Sequence, residues 1–555
     1  MRRLPALALL LGVSLQAAEP SVDLDAWVDA ITAEVDADQA MSVMRQTWET
    51  DRWFTFPKFE ETARNLSRTM ENAGLRQVEI VNPPADGKSQ FGYWTMPLAW
   101  DATQARLEIV EPEPDPQFRV LANFQRTPTS LGMWSGSTPP GGVRAEIVDV
   151  GDAGENAIAK MDLAGKLALT SRNPAGLKWA LVKAKAVGAI NAFSENAEGL
   201  PDDRQWINAW GDAGWAYTKA STPLLVFSIT PRQAAYVRKL LAERGKVIAR
   251  AVVNARYYEG GYPYVTGVIP GAEQDGEEVL TVGHMAEQGA HDNATGVAAM
   301  VEALGALDRL IEAGKLPRPR RTIRMLVVGE LYGTMHYLAA NPDRVARTVG
   351  AMCLDTPAGP YEAAGTEYTF HMNPDVARSY TDALVLQVAS SYFDRKRPGR
   401  PWHWAPYSTG TDNFLGEPEI GIPTAWPYSG SGVHSHHNSA DTPDTVDERS
   451  LRDLTVVTAA YLYALASAGE DEAMWLADAG LTRGYEGVLQ AYEEAFAGVA
   501  KAKPGEELAH ALDRGLRLID YRAGRERQAI ESVDRLAPDG RREQTHAAAD
   551  ELAGR

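Results

Sequence analysis

From Gly267 to about Ala466, short apolar runs alternate with helical patterns, and this alternation constrains the fold more than any other feature of the chain. Glu277 to Val282 predicts a strand. Asp292 to Gly296 opens a helix running to Leu310, Thr322 to Val328 predicts a second strand, and Tyr332 to Ala340 a second helix. Strands separated by helices pair in parallel through crossovers, so the expected class is α/β with a mixed, largely parallel sheet flanked by helices. Ligands of such sheets gather beyond the carboxyl ends of the strands.

The 555 residues exceed what one compact core needs, and the texture changes along them. Met1-Arg2-Arg3, an apolar run from Leu4 to Leu15 and the small pair Ala17-Ala18 predict a removable signal peptide at 1–18, hence a periplasmic or secreted protein. Residues 19–140 carry helical patterning, as in Phe59 to Gly74, then strand-like pieces such as Val78 to Val81 and Ala105 to Val110. They read as the N-terminal part of the α/β unit. From 141 to 258 short β-branched runs dominate, including Glu146 to Val150 and Leu224 to Ser228, which predicts an inserted β-rich module. Within it, Asp203 to Tyr217 sets Trp206, Trp210 and Trp215 among glycines and aspartates, a composition that suits either a lid over a cleft or ordinary packing. Residues 259–467 hold the α/β unit itself. The last segment, 468–555, is helical, charged and alanine-rich, a tail that can pack, join a homo-oligomer or fray.

Charge and cysteine usage narrow the function classes. A net charge of −19 repels nucleic acid and anionic lipid, and nothing after the leader is long and apolar enough to span a membrane. Small or neutral substrates are expected. The single cysteine, Cys353, rules out an intramolecular disulfide, and its place in the apolar run Gly350 to Leu354 reads as a buried structural thiol.

Eight of the ten histidines fall between His284 and His437, so a metal or acid–base site is sought in the α/β unit. The strand ending at His284 leads through a loop to Asp292, which is a candidate ligand and equally a plain helix cap. Ile323 to Gly329 runs straight into Glu330, a carboxylate suited to general-base work or a solvated loop residue. Cys353-Leu354-Asp355 ends the next apparent strand. Three successive strands thus end in His, Glu and Asp. Beyond them, His434, His436 and His437 precede the acidic turn that carries Asp441, and imidazoles on a loop suit zinc.

Taken together, His284, the segment His291-Asp292-Asn293-Ala294-Thr295-Gly296, the Gly329-Glu330 turn, Leu354-Asp355 and His437 to Asp447 resemble metallopeptidase family 28, the co-catalytic zinc aminopeptidases. Asp162 to Lys166 and Ala184 to Ile190 make the inserted module similar to a protease-associated domain. The resemblance implies a zinc-exopeptidase-like fold with one or two zinc ions. It makes Asp292 the carboxylate bridging two metals, with His284 and Asp355 on one metal and His437 on the other. It makes Glu330 the general base and sets Asp441 behind the ligands. An exported, aminopeptidase-like hydrolase of peptides or small amides is the implied function. The chain departs from the family at Leu331, where a second glutamate normally binds metal. Either Glu287, His291, Asp412, His434 or His436 replaces that ligand, or Glu330 does, or one metal suffices. Two other functions fit the same residues: a binding protein that kept the fold without the chemistry, and a hydrolase of another amide, such as a carboxypeptidase or dipeptidase.

Overall fold

The computed structural model of the chain, which describes residues 22–212, 215–273, 276–537 and 542–553, gathers the strands of the α/β unit into one eight-stranded mixed sheet. The expected signal peptide, 1–18, lies outside the described residues. In spatial order the strands are Arg76–Val81, Tyr264–Ile269, Thr322–Gly329, Glu278–Met285, Thr348–Leu354, Thr424–Tyr428, Tyr368–His371 and Trp402–Ala405. Thr322–Gly329, Glu278–Met285, Thr348–Leu354 and Thr424–Tyr428 run parallel. Antiparallel partners flank this parallel centre on both sides.

Every residue of Glu278–Met285 is buried, as a strand covered on both faces must be. Leu280 and Val282 join Leu326, Val328, Tyr337 and Cys353 on one face. Val279 joins Ile323, Met325 and Met352 on the other, where helices Ala294–Glu312 and Glu448–Ser467 cover the sheet. Burying one such side chain contributes roughly 1.5–3 kcal/mol, so these two layers hold the strand ends in fixed register. Cys353 lies in this interior, and burial pushes its thiol well up, away from the reactive thiolate.

A second sheet of seven strands stands beside the first, in the order Leu225–Ser228, Gly188–Asn191, Leu167–Thr170, Val143–Gly151, Ile248–Tyr258, Ala99–Glu111 and Val120–Asn123. Its first four strands are parallel and the rest antiparallel. The module expected to begin at 141 therefore shares its sheet with Ala99–Glu111 and Val120–Asn123, which precede that boundary. The cause is Ile248–Tyr258, which pairs along its whole length with Ala99–Glu111 and, through Ile248 to Ala251, with Val143 to Glu146. No local pattern announces a pairing across so much chain.

The tail is a stack of helices, Glu470–Lys501, Glu506–Glu531 and Arg542–Ala553. Its base packs on the α/β unit through Leu476, Ala477, Ile530, Val533 and Leu536. Arg321, 3% exposed, bolts it down: Nη1 donates to the Ala468 carbonyl, Nη2 to the Leu536 carbonyl at 2.8 Å, and Nε pairs with Glu277 at 2.9 Å. Arg321→Ala strands two carbonyls and a carboxylate, and we expect a loss of about 3 kcal/mol. Thermal melting and limited proteolysis of the segment after Ser467 check this; unchanged digestion would contradict it. Among the described residues, no helix is long and apolar enough to cross a membrane.

Candidate metal centre

Strand pairing alone brings three of the chemistry-bearing residues together. His284 is level with Val328 on one neighbouring strand, and Gly283 with Leu354 on the other, so Glu330 and Asp355 emerge on either side of His284. The central strand has a neighbour on each side, which makes this end of the sheet a topological switch point and opens a crevice there. Asn293 ties the crevice together. Its Nδ2 donates to the Leu354 carbonyl at 2.8 Å and the His284 carbonyl at 3.3 Å, and its Oδ1 accepts from the Thr356 backbone at 3.2 Å.

Asp292 reaches the same point from a loop that Asp441 braces. Asp441 Oδ1 accepts from the backbone of Ala290 and His291 at 3.1 and 2.7 Å, and Oδ2 from that of Asp292 at 3.1 Å. Gly289 is required beneath it, because a Cβ there would lie 2.0 Å from Asp441 Oδ2. Burial pushes the Asp441 carboxyl up to about 6, against the pull of His291 and these backbone donors.

The ligand atoms are spaced as a small cation requires. His284 Nε2 is 3.4 Å from Asp292 Oδ1 and 3.4 Å from Asp355 Oδ1. On the far side of Asp292, His437 Nε2 is 3.2 Å from Oδ2 and 3.0 Å from Glu287 Oε2, while His436 Nε2 is 3.6 Å from Oδ2. Ligands about 2.0–2.1 Å from a tetrahedral ion stand roughly 3.3 Å apart, so His284, Asp292 and Asp355 can close on one ion and Asp292, His436 and His437 on another, with Asp292 facing both. His284 supplies a further sign of fit. It is 1% exposed, its Nδ1 has no hydrogen-bond partner and its Nε2 meets only the two carboxylates at 3.4 Å, an arrangement that costs about 1–3 kcal/mol unless something binds there.

The charges agree. Burial works to lower the His284 pKa, yet Asp355, Glu330 and Glu287 outweigh it and hold the pKa well above the usual value. Burial likewise opposes the His437 proton, and Glu287 and Asp292 retain it. Burial works to raise Asp292, but His437, His284 and His436 hold it below the ordinary carboxylate range. A divalent cation would take over the balancing done by these two protons.

Glu330 lines the crevice without belonging to either set. Burial pushes its carboxyl well up despite His284, and Glu287, Asp355 and Asp412 push it further. The turn carrying it is held from behind, where Leu331, at φ 61°, donates its backbone N–H to Asp412 Oδ1 at 3.0 Å. Asp412, fully buried, therefore supports the Glu330 turn and stands in neither cluster. His291 turns its Nε2 to the Thr445 carbonyl at 3.0 Å, and His434 sits on the exposed rim. Of the possible replacements for the ligand missing at Leu331, the fold brings His436 into the cluster with Asp292 and His437 and sets Glu287 against His437, and it leaves His291, Asp412 and His434 outside.

Residues 265–462 match the model of peptidase family M28. The match spans the α/β unit and every candidate ligand in it. No curated protein matches the chain. Among solved structures it is similar to a zinc aminopeptidase from Bacillus subtilis, at 16% identity and a TM-score of 0.55 over 77% of this chain and 95% of that one. A peptidase M28 precursor from Shewanella amazonensis gives 17% and 0.56 over 80% and 98%. An aminopeptidase from Aneurinibacillus sp. strain AM-1 gives 18% and 0.50 over 79% and 95%. At these identities the likeness concerns the fold.

The cavity over the crevice holds about 510 Å³ and is walled by both sheets' loops. Trp426 and Tyr428 line it, whereas Trp402 packs on Phe393 and Trp404 under Arg483. Trp206 and Trp210 are buried packing residues; Trp215, 57% exposed, lines the cavity with its edge on Trp94. The second sheet also grips the histidine loop of the α/β unit. Gln205 forms a backbone bridge with Asn438, and its Nε2 donates to the His436 carbonyl at 2.9 Å. Trp206 donates its backbone N–H to the His437 carbonyl and meets the imidazole edge-on. Glu195 reaches His436 Nδ1 at 3.4 Å. Gln205→Ala removes about 1 kcal/mol of this support and is expected to raise the metal concentration giving half-maximal occupancy on the His437 side about fivefold, with little change in Tm. Equal metal titrations of the two proteins would show that the loop holds without it.

Asp51, Glu195 and Gln205 belong to this site and sequence reasoning missed them. Asp51 Oδ2 accepts from the Ala286 backbone at 3.0 Å and its Oδ1 from Thr62, with burial pushing the carboxyl up to about 7. It ends a helix whose pattern carries no functional signal.

Proposed function

We propose that this chain is an exported, zinc-dependent exopeptidase of aminopeptidase type. The observation that carries the proposal is Asp292, whose two oxygens face His284 and Asp355 on one side and His437 on the other, at 3.2 to 3.4 Å from the imidazoles, beside Glu330. Export rests on the leader-like residues 1–18.

His284, Asp292 and Asp355 would hold the ion. Zinc when bound lowers the pKa of a water and polarises the scissile carbonyl. Glu330 takes the proton from the attacking water and returns it to the leaving amine, a task suited to a carboxylate whose surroundings raise its affinity for protons. Asn293 and Asp441 keep the ligands in register, and Asp412 fixes the turn on which Glu330 acts. Trp215, Trp426 and Tyr428 give the cavity apolar walls, which favours an apolar side chain at the cleavage site.

A panel of aminoacyl-arylamides, each paired with its N-acetylated form, tests the exopeptidase assignment. Cleavage of the free-amine compounds alone is expected. Equal cleavage of the acetylated compounds would move the reaction to another amide, and a zinc-loaded protein that cleaves nothing would favour a binding protein.

A further inference from the structure

We propose that Glu287 supplies the ligand that Leu331 cannot, completing a second divalent-cation site with Asp292 Oδ2 and His437 Nε2. This assignment rests on the metal-centred function proposed above and extends it to a ligand drawn from a different loop. Leu331 lines the cavity beside Glu330 and offers no donor atom from its side chain. Its backbone is committed to Asp412, so the turn keeps its shape while the ligand position is filled by carbon.

Glu287 comes from the opposite wall of the crevice. The His284 strand ends at Met285, and Ala286 then adopts φ 73°, the left-handed region that an alanine enters at a cost of roughly 1–2 kcal/mol. Asp51 holds it there through the Ala286 backbone N–H. The turn folds Glu287 back over the strand end, where it is 7% exposed and 3.0 Å from His437 Nε2. Next along the loop, Gln288 Nε2 donates to the Asn438 carbonyl at 3.1 Å, locking the Glu287 loop to the His437 loop. The two ligand loops are thus fastened to each other independently of any contact between the ligands.

His436 is the competing donor: it stands within ligand distance of both Asp292 and His437, yet it is held there less firmly. Its Nε2 is 3.6 Å from Asp292 Oδ2, its side chain is 51% exposed, and Glu195 already engages its Nδ1. Stacked on His437 with ring centroids 3.9 Å apart, it caps the site on the solvent side. His437 Nε2 stands 3.0 Å from Glu287 and 3.2 Å from Asp292, the oxygen–nitrogen donor set suits zinc, and the two oxygens of Asp292 make the two sites neighbours.

The test uses the full-length protein, stripped with a chelator and titrated with zinc by calorimetry, with bound metal counted by mass spectrometry. Wild type is expected to bind two zinc ions per chain. Glu287→Gln is expected to keep one at wild-type affinity and to bind the second about 100-fold more weakly, a loss of the size seen when even supporting groups of metal sites are removed. His436→Ala is expected to keep both. Cobalt loading gives a readout independent of activity, with one of two sets of visible absorption bands missing in Glu287→Gln. Should that variant not fold, Glu287→Asp keeps the charge at shorter reach and is expected to weaken only the second ion. Two ions at wild-type affinity in the Glu287 variants, or one ion in wild type, would overturn the assignment and leave Glu287 and His437 as an ion pair. Wild type binding no zinc would overturn the metal-centred function itself.

Discussion

Glu330→Gln is expected to lower turnover by about 10³-fold while zinc content and Tm stay at wild-type values. The carboxylate lines the cavity and stands in neither ligand cluster, so its loss removes proton transfer and leaves the ligands intact. Gln keeps the volume and the turn, which Asp412 fixes through the backbone of Leu331. Kinetics on one aminoacyl-arylamide, with metal counted in the same sample, separates the possibilities. Turnover that survives would remove Glu330 from the mechanism, and zinc that disappears with turnover would make Glu330 a ligand.

Asp292→Asn is the more disruptive change. An amide offers one neutral oxygen where the two histidine sets each need a carboxylate oxygen, so one set loses its donor and the other keeps only a weak one. Zinc content is expected to fall well below one per chain and activity to background. The loop should survive, because Asp441 holds it through the backbone N–H groups of residues 290–292. The stabilisation that zinc gives the wild type, about 4 kcal/mol at a free concentration a thousand times Kd, should vanish in the variant. Melting with and without zinc reads this out: a large shift in wild type and none in Asp292→Asn. An equal shift in both would place the bound zinc elsewhere.

The parts of this site that could be read from sequence are those where local pattern meets chemistry. His284, Glu330 and Asp355 each end an apolar run, and parallel pairing of the three runs puts them side by side. Asp292 gained meaning only from its company, since alone it looks like a helix cap. Glu287 could be named only as one option among several, because its approach to His437 depends on the left-handed turn at Ala286. Asp51 and Gln205 were beyond reach: each acts through hydrogen bonds across more than 200 residues of chain, 235 in one case and 231 in the other. The strand pairing across the expected boundary at 141 was out of reach for the same reason, as Ala99–Glu111 finds its partner in Ile248–Tyr258. Periodicity predicts strands; it does not say which strands meet. Among the aromatics, exposure separated Trp215, which faces the cavity, from Trp206 and Trp210, which fill the interior.

The proposed function requires that this crevice hydrolyse an amide with zinc held by His284, Asp292 and Asp355. The most direct test is the rate of cleavage of a leucyl-arylamide by the purified full-length protein through a cycle of chelation and zinc return. Cleavage that stops on chelation and recovers with zinc, and that never recovers in Asp292→Asn, is the predicted result. Cleavage indifferent to chelation, or none from a protein carrying its zinc, would contradict it.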